Sequence, residues 1–115
     1  MVDPSVVSHI RAYLKNLAGQ GIPSPFAVVF GSYATGRTNE WSDIDLVVVS
    51  PLFDEGVSRD QVNRLWRAAA RTDSRIEPIP CGEREWQTDT DRPILDIARR
   101  EGTVITERDP DAGRS

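Results

Sequence analysis

The chain predicts an α/β fold: a small mixed β-sheet with helices packed on it. Three observations lead there. Short runs rich in β-branched or aromatic residues, at about 26–30, 44–50 and 75–79, are too brief for helices and are bounded by Pro, Gly and Asp. Longer segments around them carry apolar residues at helical spacing. Capping residues stand where those helices should begin.

Asp3-Pro4 opens the first helix, Asp3 as N-cap and Pro4 at the first helical position. Val6, Val7, Ile10, Tyr13, Leu14 and Leu17 form its inner face, and Gly19 or Gly21 ends it. His9 on this helix reads as a surface residue. The first strand, 26–30, runs into a loop over about 31–42, and the second strand covers about 44–50. Pro51 to Val57 reads as loop. Ser58-Arg59-Asp60-Gln61 matches a capping box and starts a helix to about Arg71, with Val62, Leu65, Trp66 and Ala69 as its apolar stripe. Trp66 is therefore expected in the core. The third strand, 75–79, contains Pro78 and Pro80, which suit an edge or a strand that breaks early, and Ile76 and Ile79 do not share a face under strict alternation. Trp86 lies in a polar stretch and reads as partly exposed. Asp91 is expected to cap the last helix, with Pro93 in its first turn, Ile94, Leu95, Ile97 and Ala98 inside, and Gly102 as its stop. Arg99 and Arg100 suit the end of that helix dipole. Val104-Ile105 adds a short strand.

The chain has 115 residues, enough for one domain with a real core, placed here at 1–108 with a polar tail over 109–115. The single cysteine, Cys81, excludes an internal disulfide, reads as a small buried or inert thiol, and fits a reducing compartment. No apolar run is long enough to span a membrane and no basic-then-apolar leader opens the chain, so a cytoplasmic protein is expected. The net charge of −4 lacks the basic stripe of a nucleic-acid binder, which argues against direct nucleic-acid binding.

The chemistry-bearing segment is Gly31-Ser32, ten residues, then Asp43-Ile44-Asp45. Gly31 lets the backbone turn after an apolar strand and approach a ligand without a Cβ in the way. Ser32 and the amides after it suit phosphate oxygens, and Arg37 offers a forked donor to the same oxygens. Ser42 belongs to the same loop set, with a local hydrogen bond at the strand start as its plainer role. Tyr33 and Trp41 flank the loop and suit packing better than base stacking. Asp43 and Asp45 share one face of a strand. Two carboxylates so close oppose each other's ionisation, and a divalent cation removes that conflict. Magnesium takes oxygen ligands and arrives with substrate phosphates. In two-metal catalysis such ions sit about 3.5–4 Å apart. Glu77, on the strand expected beside the aspartates, is the candidate third carboxylate, as metal ligand or as base for an attacking hydroxyl.

These residues resemble the signature of the nucleotidyltransferase (DNA polymerase β-like) superfamily, most closely its minimal members, the MNT domains. The resemblance spans about residues 5–105. It implies a polymerase β palm-like fold and a metal-dependent transfer of a nucleoside monophosphate, AMP from ATP, with two Mg2+ ions. Carried over by position, Gly31 and Ser32 hold the triphosphate, with Arg37 and Ser42 in the nucleotide-binding set. Asp43, Asp45 and Glu77 are the catalytic and metal-binding residues. Minimal members are typically antitoxins paired with an HEPN-domain toxin, and the chain resembles them in size and motif, which implies a toxin tyrosine as acceptor. Two alternatives stand beside it: a non-catalytic module that neutralises a partner protein by covering it, and a small-molecule, aminoglycoside-like nucleotidyltransferase.

Overall fold

The computed structural model describes residues 3–31, 43–88 and 92–107. Helix α1 covers Pro4–Gly19, β1 Phe26–Phe30 and β2 Ile44–Val49. Then come α2 over Arg59–Thr72, β3 over Ile76–Cys81, α3 over Glu83–Gln87, α4 over Pro93–Glu101 and β4 over Thr103–Thr106. The strands form one mixed sheet in the order β3-β2-β1-β4. β1 pairs antiparallel with β2 and β4, whereas β2 pairs parallel with β3 through the α2 crossover.

Strand alternation divides the core in two. Ala27, Val29, Ile44, Leu46, Val48 and Ile76 point to one face, where Ile10, Leu14 and Leu17 of α1 and Leu65 and Ala69 of α2 cover them. Val28, Phe30, Val47, Val49 and Cys81 point to the other, against Leu95 and Ala98 of α4. Each fully buried leucine or isoleucine in these layers contributes about 1.5–3 kcal/mol. The Tyr13 hydroxyl is buried and donates to the Leu65 carbonyl at 3.0 Å, tying α1 to α2.

Local chemistry sets the boundaries. The Asp3 carboxylate accepts from the Ser5 amide at 2.8 Å, and α1 runs to Gly19. Ser58 and Gln61 form the reciprocal capping box. Behind β2 the expected loop contains a single 3-10 turn over Pro51–Phe53, capped by Ser50. Gly102 stops α4 as expected.

Several expectations change. Trp66 is not in the core: it is 48 % exposed. Leu65, Ala68 and Ala69 make the buried face of α2, and Trp66 stands about 100° round from Leu65. Ile94 and Ile97 are exposed as well, because the short α4 offers the sheet only the narrow face of Leu95 and Ala98. Arg92, not Asp91, occupies the N-cap position of α4; Asp91 and the tail over 109–115 lie outside the described residues.

β3 does not break at its prolines but runs to Cys81. The Ile44 amide donates to the Arg75 carbonyl and the Ser50 amide to that of Cys81. Two-residue alternation between these anchors turns the backbone nitrogens of Pro78 and Pro80 to the open edge, where no donor is required. β3 is thus an edge strand guarded by two prolines. The helix α3 was not anticipated, since Glu83-Arg84-Glu85-Trp86-Gln87 has no apolar period. Arg99 is more than a dipole partner. Its guanidinium donates to the carbonyls of Glu85, Trp86 and Thr88 at 2.7–2.8 Å and lies over the Trp86 ring, locking α3 to α4.

A network joins α1 to the start of β3. Asp73 takes Nδ1 of His9 at 2.9 Å and the Arg75 guanidinium at 2.6 Å. The hydrogen bonds from Arg75 hold the Asp73 carboxyl well below the usual carboxylate range. A depressed folded-state pKa contributes stability that is complete above the unfolded value, about 3.9, and is lost as pH falls through the folded one. Asp73→Asn is expected to lower stability at pH 7 and to flatten the acid limb of the stability curve, read by urea unfolding between pH 7 and 2. Gly102→Ala is expected to cost about 1–3 kcal/mol in the same assay, because a Cβ there would press on the Ala98 carbonyl and the Val28 side chain.

Candidate functional site

The candidate site forms where β1 ends and β2 and β3 begin. β1 is apolar throughout and delivers the chain to Gly31, whose φ is +75°. A Cβ built on Gly31 would lie 2.7 Å from Oδ2 of Asp45, so the residue's bare backbone packs directly against that carboxyl. Both the dihedral and the contact require glycine here. Asp45 sits opposite Phe30 on β1 and in register with Glu77 on β3. Asp43 stands exposed just before β2, two residues from Asp45 and on the same face. Ile44, between them, is fully buried on the other face and fastens the strand start.

The three carboxyls are close enough to alter one another. Burial raises the pKa of Asp45, and the charge of Asp43 raises it further, while a hydrogen bond with Glu77 works the other way. Glu77 is raised by burial first, then by the charges of Asp43 and Asp45 and by hydrogen bonds to both.

The donor set is all oxygen and negatively charged, which suits a hard divalent cation. Among the described residues no group of three or more acidic, histidine or cysteine side chains is placed to hold a metal ion by itself. Asp43, Asp45 and Glu77 are the residues that could offer oxygen ligands to such a cation.

Of the residues picked from sequence, the structure brings together Gly31, Asp43, Asp45 and Glu77. Ser32, Arg37 and Ser42, with Tyr33 and Trp41, lie outside the described residues. Sequence reasoning missed the support beneath the site. His9 and Asp73 are 64 positions apart, and no local pattern announces their contact.

Comparison with known proteins points the same way. Residues 10–87 match the family described as the nucleotidyltransferase domain. No curated protein matches the chain. A crystal structure from Sulfolobus solfataricus, of a protein provisionally assigned as a nucleotidyltransferase, superposes with a TM-score of 0.59. It is 17 % identical, with 85 % of this chain and 77 % of that one covered, and shares the fold. Among the described residues no helix is long and apolar enough to cross a membrane.

Raised carboxyl pKa values mean that the folded chain binds those protons more tightly than the unfolded one. Stability is then lost as pH rises through and above the carboxylate range, about 4. Asp45→Asn and Glu77→Gln are each expected to raise the thermal midpoint at pH 7 in metal-free buffer, with the gain shrinking toward pH 4. Added Mg2+ should stabilise the wild type and not the Asp45→Asn variant. Gly31→Ala should destabilise at every pH. Differential scanning fluorimetry across pH, with and without Mg2+, reads all of these.

Proposed function

From the premise that the chain belongs to the nucleotidyltransferase domain family, which implies a transferase with a nucleotide substrate, we propose a metal-dependent transfer of AMP from ATP to a hydroxyl. The observation that carries this reading is the in-register pairing of Asp45 with Glu77, beside Asp43 and against the bare backbone of Gly31.

The roles of Gly31, Asp43, Asp45 and Glu77 draw on their geometry, and those of Ser32, Arg37 and Ser42 on the sequence alone. Gly31 keeps the mouth of the site open to the triphosphate. The Ser32 hydroxyl and the amides that follow hold its β and γ phosphates, with Arg37 and Ser42 in the same loop. Asp43 and Asp45 hold Mg2+, and Glu77 shares one ion or takes the proton of the incoming hydroxyl. When bound, the two ions supply charge neutralisation at the α-phosphate and at the oxygens entering and leaving it. Glu77 suits proton acceptance because its carboxylate stands beside the two aspartates, in register with Asp45. The acceptor oxygen attacks the α-phosphorus, the bond to the bridging oxygen breaks, and pyrophosphate leaves.

For the acceptor we take a tyrosine of a partner HEPN-type toxin, with this chain as the antitoxin. Support for that finer reading is the resemblance of the Gly31-to-Leu46 segment to minimal nucleotidyltransferases.

Calorimetry with ATP and Mg2+ should show metal-dependent binding that is lost in an Asp43→Asn/Asp45→Asn variant. Incubation with ATP, Mg2+ and an HEPN chain should add one AMP to a tyrosine, seen by intact-protein and peptide mass spectrometry. The double variant should lose transfer by at least about a thousandfold, the scale on which removing preorganised charge stabilisation acts. Full activity of that variant would sink the mechanism. An HEPN chain that is inhibited but never gains mass would sink the choice of acceptor.

A further inference from the structure

α2 leaves one stripe of its surface uncovered. The exposed residues Arg59, Asn63, Trp66, Arg67, Ala70 and Arg71 recur at intervals that place them on one side of the helix. Trp66 belongs to neither core cluster, and its 48 % exposure leaves much of the indole in solvent. With Asn63, Arg67 and Ala70 it lines an open concavity of about 390 Å³.

The unpaired charge on this stripe is one-sided. Arg59, Arg67 and Arg71 make no hydrogen bond or ion pair with any described residue. By contrast Arg64, on the same helix, pairs with Asp60 at 2.9 Å and donates to the Gln20 carbonyl. Asp60, the exposed acid on this side of α2, is engaged by Arg64, so the charge left over on the stripe is positive, although the chain as a whole carries −4. Arg71 in the last turn complements the helix dipole, but Arg59 and Arg67 on the side of a solvent-facing indole have no partner among the described residues. Tryptophan and arginine are the residue types that dominate binding energy at protein interfaces.

We propose that this stripe docks an acidic segment of a partner protein. An apolar side chain of that segment seats against Trp66, and its carboxylates pair with Arg59, Arg67 and Arg71. A protein occupant is favoured over single-stranded nucleic acid on two counts. The stripe offers one aromatic platform rather than a succession of them, and the chain is acidic overall, unlike a nucleic-acid binder. The docking surface does not use the carboxyl trio. α2 covers the Leu46 and Ile76 face of the sheet, whereas Asp45 and Glu77 alternate with those residues and point to the other.

The test selects short acidic peptides bearing leucine or phenylalanine from a display library on the immobilised full chain, then measures the winners by fluorescence anisotropy. Trp66→Ala and Arg67→Glu/Arg71→Glu should each weaken binding by about tenfold or more. Binding should also weaken with salt. Both sites of substitution are exposed, so thermal midpoints should stay near that of the wild type, with Arg67→Ala as a milder second variant. Asp43→Asn/Asp45→Asn should bind the peptides as the wild type does, which separates this proposal from the nucleotidyl-transfer reading. Failure to enrich any acidic peptide would overturn the proposal. So would enriched peptides indifferent to Trp66 and Arg67, or a short oligouridylate that binds in a Trp66-dependent way where the peptides do not.

Discussion

Everything at the candidate site depends on the parallel register between β2 and β3. That register places Asp45 directly beside Glu77. Side-chain direction in a strand has a period of two, so a slip of one residue would exchange the whole face. Ile76 would then stand among the carboxyls, and Glu77 would be driven into the layer filled by Leu65 and Ala69. The apolar cost of the slip is what holds the acids together, since their mutual repulsion favours the opposite.

Polar anchors hold the same register at both ends. The Ile44 amide meets the Arg75 carbonyl at 2.7 Å, and the Ser50 amide meets that of Cys81 at 3.0 Å. Just before the first anchor, Asp73 gathers Arg75 and His9, so the start of β3 is tied to α1 as well as to β2. At the far end Ser24 and Ser50, both buried, satisfy the carbonyls of Val49 and Pro23. The second core layer adds an inert neighbour: burial pushes the Cys81 thiol up to about 12, so it stays protonated and packs as a small apolar group.

Much of this was legible in the residues. The strand over 26–30, the capping box at Ser58 and the stop at Gly102 are local signals, and each lies where local chemistry puts it. The pairing of Asp43 with Asp45 on one face follows from alternation alone. Other features depend on partners distant in sequence. Pro78 and Pro80 could not reveal that β3 continues until the direction of their nitrogens was known, and that depends on β2. Trp66 looked like core because it follows Leu65 in an apolar pattern; only the closeness of Ala68 and Ala69 to the sheet shows which side faces inward. α3 has no period to read and is held by Arg99 from a separate helix.

The position of Gly31 shows how the fold accommodates charge that it does not itself need. β1 is the central apolar strand of this face, paired on both sides. Gly31, the residue that follows it, is a point where a side chain would collide with Asp45. Omitting that side chain leaves room beside the carboxyl and a backbone free to turn, at some cost in chain entropy. The charge that remains is carried by Asp45 and Glu77 at strand starts, where anchoring is strong and cover is thin. A ligand that brought its own cation, as proposed, would meet acids already aligned by an apolar sheet. Its binding would relieve a repulsion that the sheet otherwise has to withstand.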